Sequence, residues 1–352
     1  MGVRTSVVVI GDLNFMNVTD PAGPLRRVRG ELEKADVRFA NLECCFVAPR
    51  AGRSVDGEGF HADPAVAVAL RDAGIDAVGT ANNVNYGTEA ITSSIRTLDE
   101  CGVAHAGSGV DAAAAFAPVV VTVAGGVRIG FLQRTAVYWP TDHEAGPRSP
   151  GVAAFRCHTA YRVPMHKTHP EIPPLNRPGV PPEVITWPDR DHLDRLRADV
   201  AALRDACDIV VVSLHWGLKR DVLSYMKDIA HAVIDEGADV VMGHGPHFAL
   251  PVELYHGKPI FYGLGSFSFH TGHYGREHGD WAGLLGRVDL DGRDVMACTL
   301  RLVRHNDVNE TYFCDPADES DEINEIAVRM ERLGSRLEVD GDVLVVKPAS
   351  VG

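Results

Sequence analysis

The chain has 352 residues, room for one large domain or two small ones at about 150 residues each. It is 45% hydrophobic and 23% charged, with 35 glycines and 21 prolines, which excludes disorder, collagen and coiled coil and permits a sizeable core. The balance of 34 basic against 48 acidic side chains is −14, and no basic run exceeds two, as at Arg26-Arg27, so a nucleic-acid partner is disfavoured.

Seven scattered cysteines, of which only Cys44-Cys45 adjoin, form no CxxC and suit free thiols in a reducing compartment. The first apolar run, Val7–Ile10, is too short for a signal-peptide core or a membrane span, and no other run reaches about 18 apolar residues. A cytoplasmic protein without a membrane anchor is expected.

In chain order, Val7–Ile10 reads as a buried strand ending at Gly11-Asp12, and Val37–Ala40 as a second ending at Asn41-Leu42-Glu43. Pro64–Ala73 has helical spacing, with Asp63 as N-cap and Gly74 as stop. Asp76–Thr80 is a short strand ending at Ala81-Asn82-Asn83, and Thr88–Cys101 a helix closed by Gly102. Val119–Val123 and Val127–Leu132, joined across Gly125-Gly126, predict a hairpin.

Residues 138–190 break this rhythm with eleven prolines and with His143, His158, His166 and His169. So long an irregular stretch is expected to be a surface excursion, lid-like where it nears a site. Alternation then resumes. Asp191–Ala206 is a helix, Asp208–Leu214 a strand ending at His215-Trp216-Gly217, and Val222–Glu236 a helix. Ala238–Met242 is a strand ending at Gly243-His244, and Pro259–Tyr262 another. Asp291-Gly292 and Asp340-Gly341 mark two hairpins, with an acidic amphipathic helix, Glu319–Leu333, between them. The expected organisation is one domain over 1–315, carrying the insertion at 138–190, with residues 316–352 as a helix and strand extension packed on it.

In open α/β sheets ligands bind beyond the carboxyl ends of the strands. Asp12, Asn14, Asn41, Glu43, Asn82, Asn83, His215, His244 and His247 all follow apolar strands. Any one of them alone fits a helix cap, a turn residue or a core histidine. Together they form a ligand inventory without cysteine, suited to Mn, Fe, Mg or Zn in a non-structural role.

The segments Gly11-Asp12, Asn41-Leu42-Glu43, Ala81-Asn82-Asn83, His215-Trp216-Gly217, Gly243-His244-Gly245-Pro246-His247 and Tyr262-Gly263-Leu264-Gly265-Ser266-Phe267 resemble, in order, the motifs of the CapA family. These poly-γ-glutamate capsule synthesis proteins lie within the calcineurin-like metallophosphoesterase superfamily. The resemblance implies a four-layer α/β/β/α sandwich with a dinuclear metal site. Asp12 and His247 would serve one metal, and Asn83, His215 and His244 the other, with Glu43 where a bridging carboxylate lies and Asn14 where the superfamily carries a histidine. It leaves Asn41, Asn82 and Trp216 as candidate substrate contacts.

Two departures from the family pattern bear on chemistry. Asn82-Asn83-Val84 stands where the family has Asn-Asn-His, so the histidine that protonates the leaving group is missing, and Gly245 stands where a further imidazole is usual. A general acid is typically worth about 10²–10⁴ in rate. His270, His273 and His278, after the Gly-Ser-Phe motif, are candidates to replace it, His270 as catalytic acid and the other two toward substrate.

Three functions are expected in that order. The first is metal-assisted hydrolysis or transfer on an anionic amide, peptide or γ-glutamyl substrate, with Asp12, His247 and His270 catalytic and the number of ions open, from two to none. The second is metal-independent epimerisation at a peptide Cα, as in lasso-peptide relatives, with Asp12 and a loop histidine as acid and base. The third is a non-catalytic accessory role in polyglutamate capsule synthesis. Substrate identity and oligomeric state are not legible.

Overall fold

The structure is a computed structural model describing residues 3–48, 60–163, 165–166, 171, 175–176, 179–269, 282–308 and 310–349. Its centre is the first strand, Arg4–Asn14, buried along almost its whole length. It pairs in parallel with Val37–Leu42, which is followed by Ala77–Gly79 and Ala104–Ala106. On its other side Gly283–Asp291 runs antiparallel, then Asp294–His305, Val343–Pro348 and Ser335–Asp340 at the edge. Ser266–Phe269 pairs with the end of the first strand and Thr311–Phe313 with Asp294–His305, completing ten strands. A second sheet of six has the order Val252–Tyr255, Lys258–Phe261, Val240–His244, Ile209–His215, Arg128–Thr135, Val119–Thr122.

The period of two in each strand sends alternate side chains to opposite faces, and that sorts the layers. Val7, Val9 and Phe39 face Phe131, Val211 and Met242 between the sheets, where Phe39 stacks on Phe131 at 4.7 Å between ring centroids. Val8, Ile10 and Ala40 point outward to Leu32, Leu70 and Leu98 of the helical layer over the first sheet. Val210, Val212 and Val241 point outward to Leu196, Val200, Ile229 and Val233 over the second. The result is the expected α/β/β/α sandwich.

Helices begin and end where local chemistry directs. Asp63 accepts Ala65 N–H at 2.9 Å to open the 3₁₀ turn Pro64–Ala67, which continues into Val68–Asp72. Thr88–Cys101 ends on Gly102 in the left-handed region. The C-terminal helix, Ser320–Glu331, inserts Ile323, Ile326 and Met330 into the core between the sheets, beside Leu344 and Val346. Residues 316–349 thus share the main core.

Within the proline-rich stretch, Cys157–Arg162 pairs antiparallel with Glu183–Pro188, and Gly151–Val152 pairs with Ser108–Gly109. The ribbon exposes Tyr161, Val184 and Trp187 to solvent, so it lacks the alternation that marks a half-buried strand. Among the described residues no helix is long and apolar enough to cross a membrane.

At the opposite end of the strands from the polar motifs, fully buried Asp239 ties the layers together. Its carboxylate accepts from Arg204 at 2.8 Å, Lys258 at 2.9 Å, Arg293 at 3.1 Å and Val210 N–H at 3.0 Å. Removing one partner of a buried ionic cluster strands the others. Asp239→Ala is therefore expected to cost roughly 2–4 kcal/mol in urea unfolding, well above a surface substitution.

Candidate metal centre

Parallel registers bring the motifs to one line. Asp12 lies opposite Asn41 on one side and Ser266 on the other, and Asn41 lies opposite Gly79. In the second sheet Thr135, His215 and His244 share one register. Stacking the sheets sets these two lines against each other, so that Asp12 Oδ1 is 4.0 Å from His244 Nδ1.

Asn41 organises the carboxylates. Its Nδ2 donates to Asp12 Oδ1 at 2.8 Å and to Glu43 Oε2, so one amide holds both anions. Its Oδ1 accepts from Gln133 Nε2 at 3.2 Å and Asn82 Nδ2 at 3.4 Å. Gln133 comes from the other sheet, and its Oε1 accepts Ala81 N–H at 2.6 Å, which fixes which end of the amide is which. Gly79 makes room for it, because a Cβ there would lie 2.2 Å from Gln133 Nε2.

The imidazoles are oriented from behind. The Thr135 hydroxyl donates to Val137 O at 2.7 Å, so its oxygen accepts from His215 Nδ1–H at 3.2 Å. His215 Nε2 then turns a bare lone pair toward Glu43 Oε1, 3.3 Å away. Two acceptors at that distance require a cation or a proton between them. His244 Nε2 meets Ser213 Oγ at 2.8 Å and Gln133 Nε2 at 3.3 Å, whereas its Nδ1 is buried without a hydrogen-bond partner among the described residues. Burial pushes the pKa of His244 well below its ordinary value, so the ring is neutral, as a metal ligand must be.

The donor atoms of Glu43, His215 and His244 lie within 4.8 Å of one another. An orphaned buried nitrogen, a bare nitrogen facing a carboxylate, and an oxygen and nitrogen donor set fit a divalent ion. Neighbouring Cys44 and Cys45 stay out of it as neutral thiols, since burial pushes Cys44 up to about 12 and raises Cys45 likewise.

His247 completes the group from a left-handed backbone position, φ +65°, with Nδ1 2.8 Å from Asp12 Oδ2. Burial lowers its pKa, but the hydrogen bond and charge of Asp12 outweigh that and raise it. Gly245, at φ +113°, is what lets the turn approach, because a Cβ there would lie 3.0 Å from His215 Nε2. A histidine at this position, as in the usual motif, would need another backbone path.

The other sequence candidates divide. Asn14 is buried beside Asp12, with Oδ1 accepting Met16 N–H at 2.8 Å. Asn82 is buried and spends its amide on Leu42 O at 2.7 Å and on the Val84 and Asn85 N–H groups. Asn83 is half-buried at the rim. Trp216 is enclosed, donating to Tyr262 O at 2.9 Å and stacking on the Tyr262 ring, so its contacts are with the core. Val84 packs into the outer core of the first sheet. His270, His273 and His278 lie outside the described residues.

Sequence reasoning missed Gln133, Thr135, Ser213 and His143. The strand predicted to end at Leu132 runs on to Thr135, and that extension carries two of the four. His143 was noted only as one of several histidines in the insertion. It is buried, accepting Trp139 N–H at 3.0 Å through Nδ1 and donating through Nε2 to Asn85 O at 3.0 Å.

With this geometry in hand, comparison with known proteins is decisive on ancestry. The bacterial capsule synthesis protein family PGA_cap matches residues 6–271. The chain belongs to that family. A "Probable polyglutamine synthesis accessory protein" of Mycobacterium tuberculosis is 31% identical over 236 residues, 65% of this chain and 54% of the relative. The "PGA biosynthesis protein CapA" of Bacillus subtilis is 41% identical over 75 residues, 21% of this chain and 20% of that one. The matches to these two curated relatives span about half of the first and a fifth of the second. A crystal structure described as a novel phosphatase from Mycoplasma pneumoniae is similar in fold, with a TM-score of 0.50 at 12% identity, covering 86% of this chain and 95% of that one. This PGA_cap member thus shares its overall fold with that chain.

Its buried His143 also has a consequence for stability. Burial depresses its pKa from 6.5 to about 4, against the lesser opposing pull of Asn85 O. A group whose folded pKa lies below its unfolded value contributes stability above the unfolded pKa and loses it as pH falls toward the folded one. Urea unfolding should therefore show a loss between about pH 6.5 and pH 4, of up to about 3 kcal/mol from this residue. His143→Gln should flatten that slope relative to wild type, and parallel slopes would refute the assignment.

Proposed function

We propose that this PGA_cap protein binds one or two divalent cations at the strand ends and is a metal-dependent hydrolase or transferase. Its substrate is an anionic amide, peptide or γ-glutamyl compound of the kind that polyglutamate synthesis makes or consumes. The observation that carries this reading is the buried His215 Nε2 facing Glu43 at 3.3 Å beside the orphaned His244 Nδ1. Family membership supports the setting in capsule-type polymer synthesis.

Glu43, His215 and His244 would hold one ion, with Asn83 at its rim. Asp12, Glu43 and His247 would hold the other, with Asn14 beside them. Such ions supply Lewis-acid polarisation of a substrate oxygen and lower the pKa of water at the site. The chain's own part is to hold donors. Asn41 keeps the two carboxylates together, Thr135 fixes the His215 tautomer, and Ser213 with Gln133 aims His244. These partners behind the ligands carry a large share of affinity in metal sites. Asp12 keeps a proton on His247 Nδ1 while that nitrogen is free of metal. Without an acid at Val84, leaving groups that need no protonation are favoured.

Elemental analysis of the untagged chain is expected to find bound divalent metal, and calorimetry with manganese to give saturable binding. Glu43→Gln and His215→Ala should weaken it most, and Gln133→Ala by about tenfold. EDTA should abolish turnover of an activated phosphodiester. A chain that binds no manganese would end the reading and turn attention to metal-free acid–base chemistry on a peptide.

A second reading is an accessory, non-catalytic role in polymer synthesis. The apolar Val84 in the acid's place favours it, as does the name of the Mycobacterium tuberculosis relative. If Asp12→Ala combined with His247→Ala leaves polymer synthesis intact in cells, that reading prevails over the enzymatic one.

A further inference from the structure

The floor of the site and its rim differ in chemistry. Asp12, Asn41, Glu43, His215 and His244 are fully buried, whereas Asn83 and His247 reach toward solvent, so the site opens between those two residues. Large apolar side chains gather on the Asn83 side. Trp139 is 55% exposed and Tyr86 41%, although each is held in place. Val137, after Thr135, and Leu218, after His215, are also exposed and follow site strands.

Solvent-exposed aromatics are ordinarily free to turn, but these two are tied down. Trp139 Nε1 donates to Asn83 O at 2.9 Å, and its backbone N–H donates to buried His143 Nδ1 at 3.0 Å. His143 is anchored through Nε2 to Asn85 O and meets the Tyr86 ring edge to face at 5.2 Å. Tyr86 and Trp139 sit 6.0 Å apart, inclined at 53°. The indole has already used its only polar atom on the protein, so it offers a ligand nothing but its face. A fixed, exposed π surface beside a polar, anion-suited floor has the anatomy of a ligand pocket, with polar groups orienting one end and aromatic rings gripping the other.

Resting on the metal-centre reading above, we propose that Tyr86 and Trp139 form an aromatic subsite for a planar organic group that the substrate carries next to its anionic head. The rings set which substrates are accepted and the floor performs the chemistry. Trp139 bonds to Asn83 O, next to Val84 in the chain, and Tyr86 follows Val84 by two residues, so the planar group would lie on the side where the missing acid would have stood. Aryl or otherwise conjugated leaving groups depart with little protonation, which matches a site without an acid at that place.

The test titrates phenylphosphonate and methylphosphonate into the manganese-loaded full chain by calorimetry, which needs no turnover. Wild type is expected to bind the phenyl compound about tenfold more tightly, the scale of one good aromatic contact. Trp139→Ala and Tyr86→Ala should each bring that ratio toward one. Trp139→Phe, which keeps a ring but cannot donate to Asn83, should retain most of it, separating stacking from support of the Asn83 loop. Equal affinities in wild type, or a ratio unmoved by the two alanine variants, would overturn the subsite and leave the metal centre standing. Failure of both phosphonates to bind the manganese-loaded chain would overturn the anion-binding floor and the subsite with it.

Discussion

One amide must hold two carboxylates, and the rest of the site is arranged around that demand. Asp12 and Glu43 stand at the ends of neighbouring strands of the same sheet, buried where like charges repel strongly. Asn41 donates one hydrogen to each. Its oxygen is in turn steadied by Gln133, which reaches across from the other sheet. The sandwich is thereby locked at its working edge by polar bonds and at the far edge by Asp239 with its three cations. Between the two locks the packing is apolar and featureless in chemistry, with Phe39 on Phe131 at its middle.

That division explains what was readable in the sequence. Val7–Ile10 and Ile209–Val212 are continuous apolar runs because both faces of their strands are covered, and such runs stand out without any alignment. The motifs at their ends follow directly, so Asp12, Glu43, His215, His244 and His247 could be named as a group. Gln133 and Thr135 could not, because a glutamine and a threonine at the end of a strand look like the start of a loop. Only the register with His215 shows that the strand continues. Asn41, Asn82 and Trp216 are residues whose burial is equally invisible in the sequence. Their types suggest recognition, but buried amides and a buried indole have their hydrogen bonds committed to the backbone and to each other.

The proline-rich stretch was illegible for a different reason. A two-stranded ribbon that is mostly solvent-exposed needs little alternation of apolar and polar residues, so Cys157–Arg162 and Glu183–Pro188 carry no clear period to detect. The same stretch hides His143, which periodicity would place nowhere in particular. Its importance follows from two hydrogen bonds that only the folded chain reveals. The histidines after Ser266-Phe267 remain candidates on sequence alone.

The departures from the family pattern act on one side of the site. Gly245 clears the space in front of His215 Nε2, and Val84 buries an apolar side chain in the outer core. Neither change disturbs the nitrogens that face Glu43 and Asp12. The orientation of His215 through Thr135, and of His244 through Ser213, each uses a buried polar pair that packing alone does not need. The loop that carries Val84 is also where Asn83 O receives the indole of Trp139, beside the ring of Tyr86. The polar floor and the aromatic pair are thus held by separate sets of hydrogen bonds, so a change in one need not disturb the other.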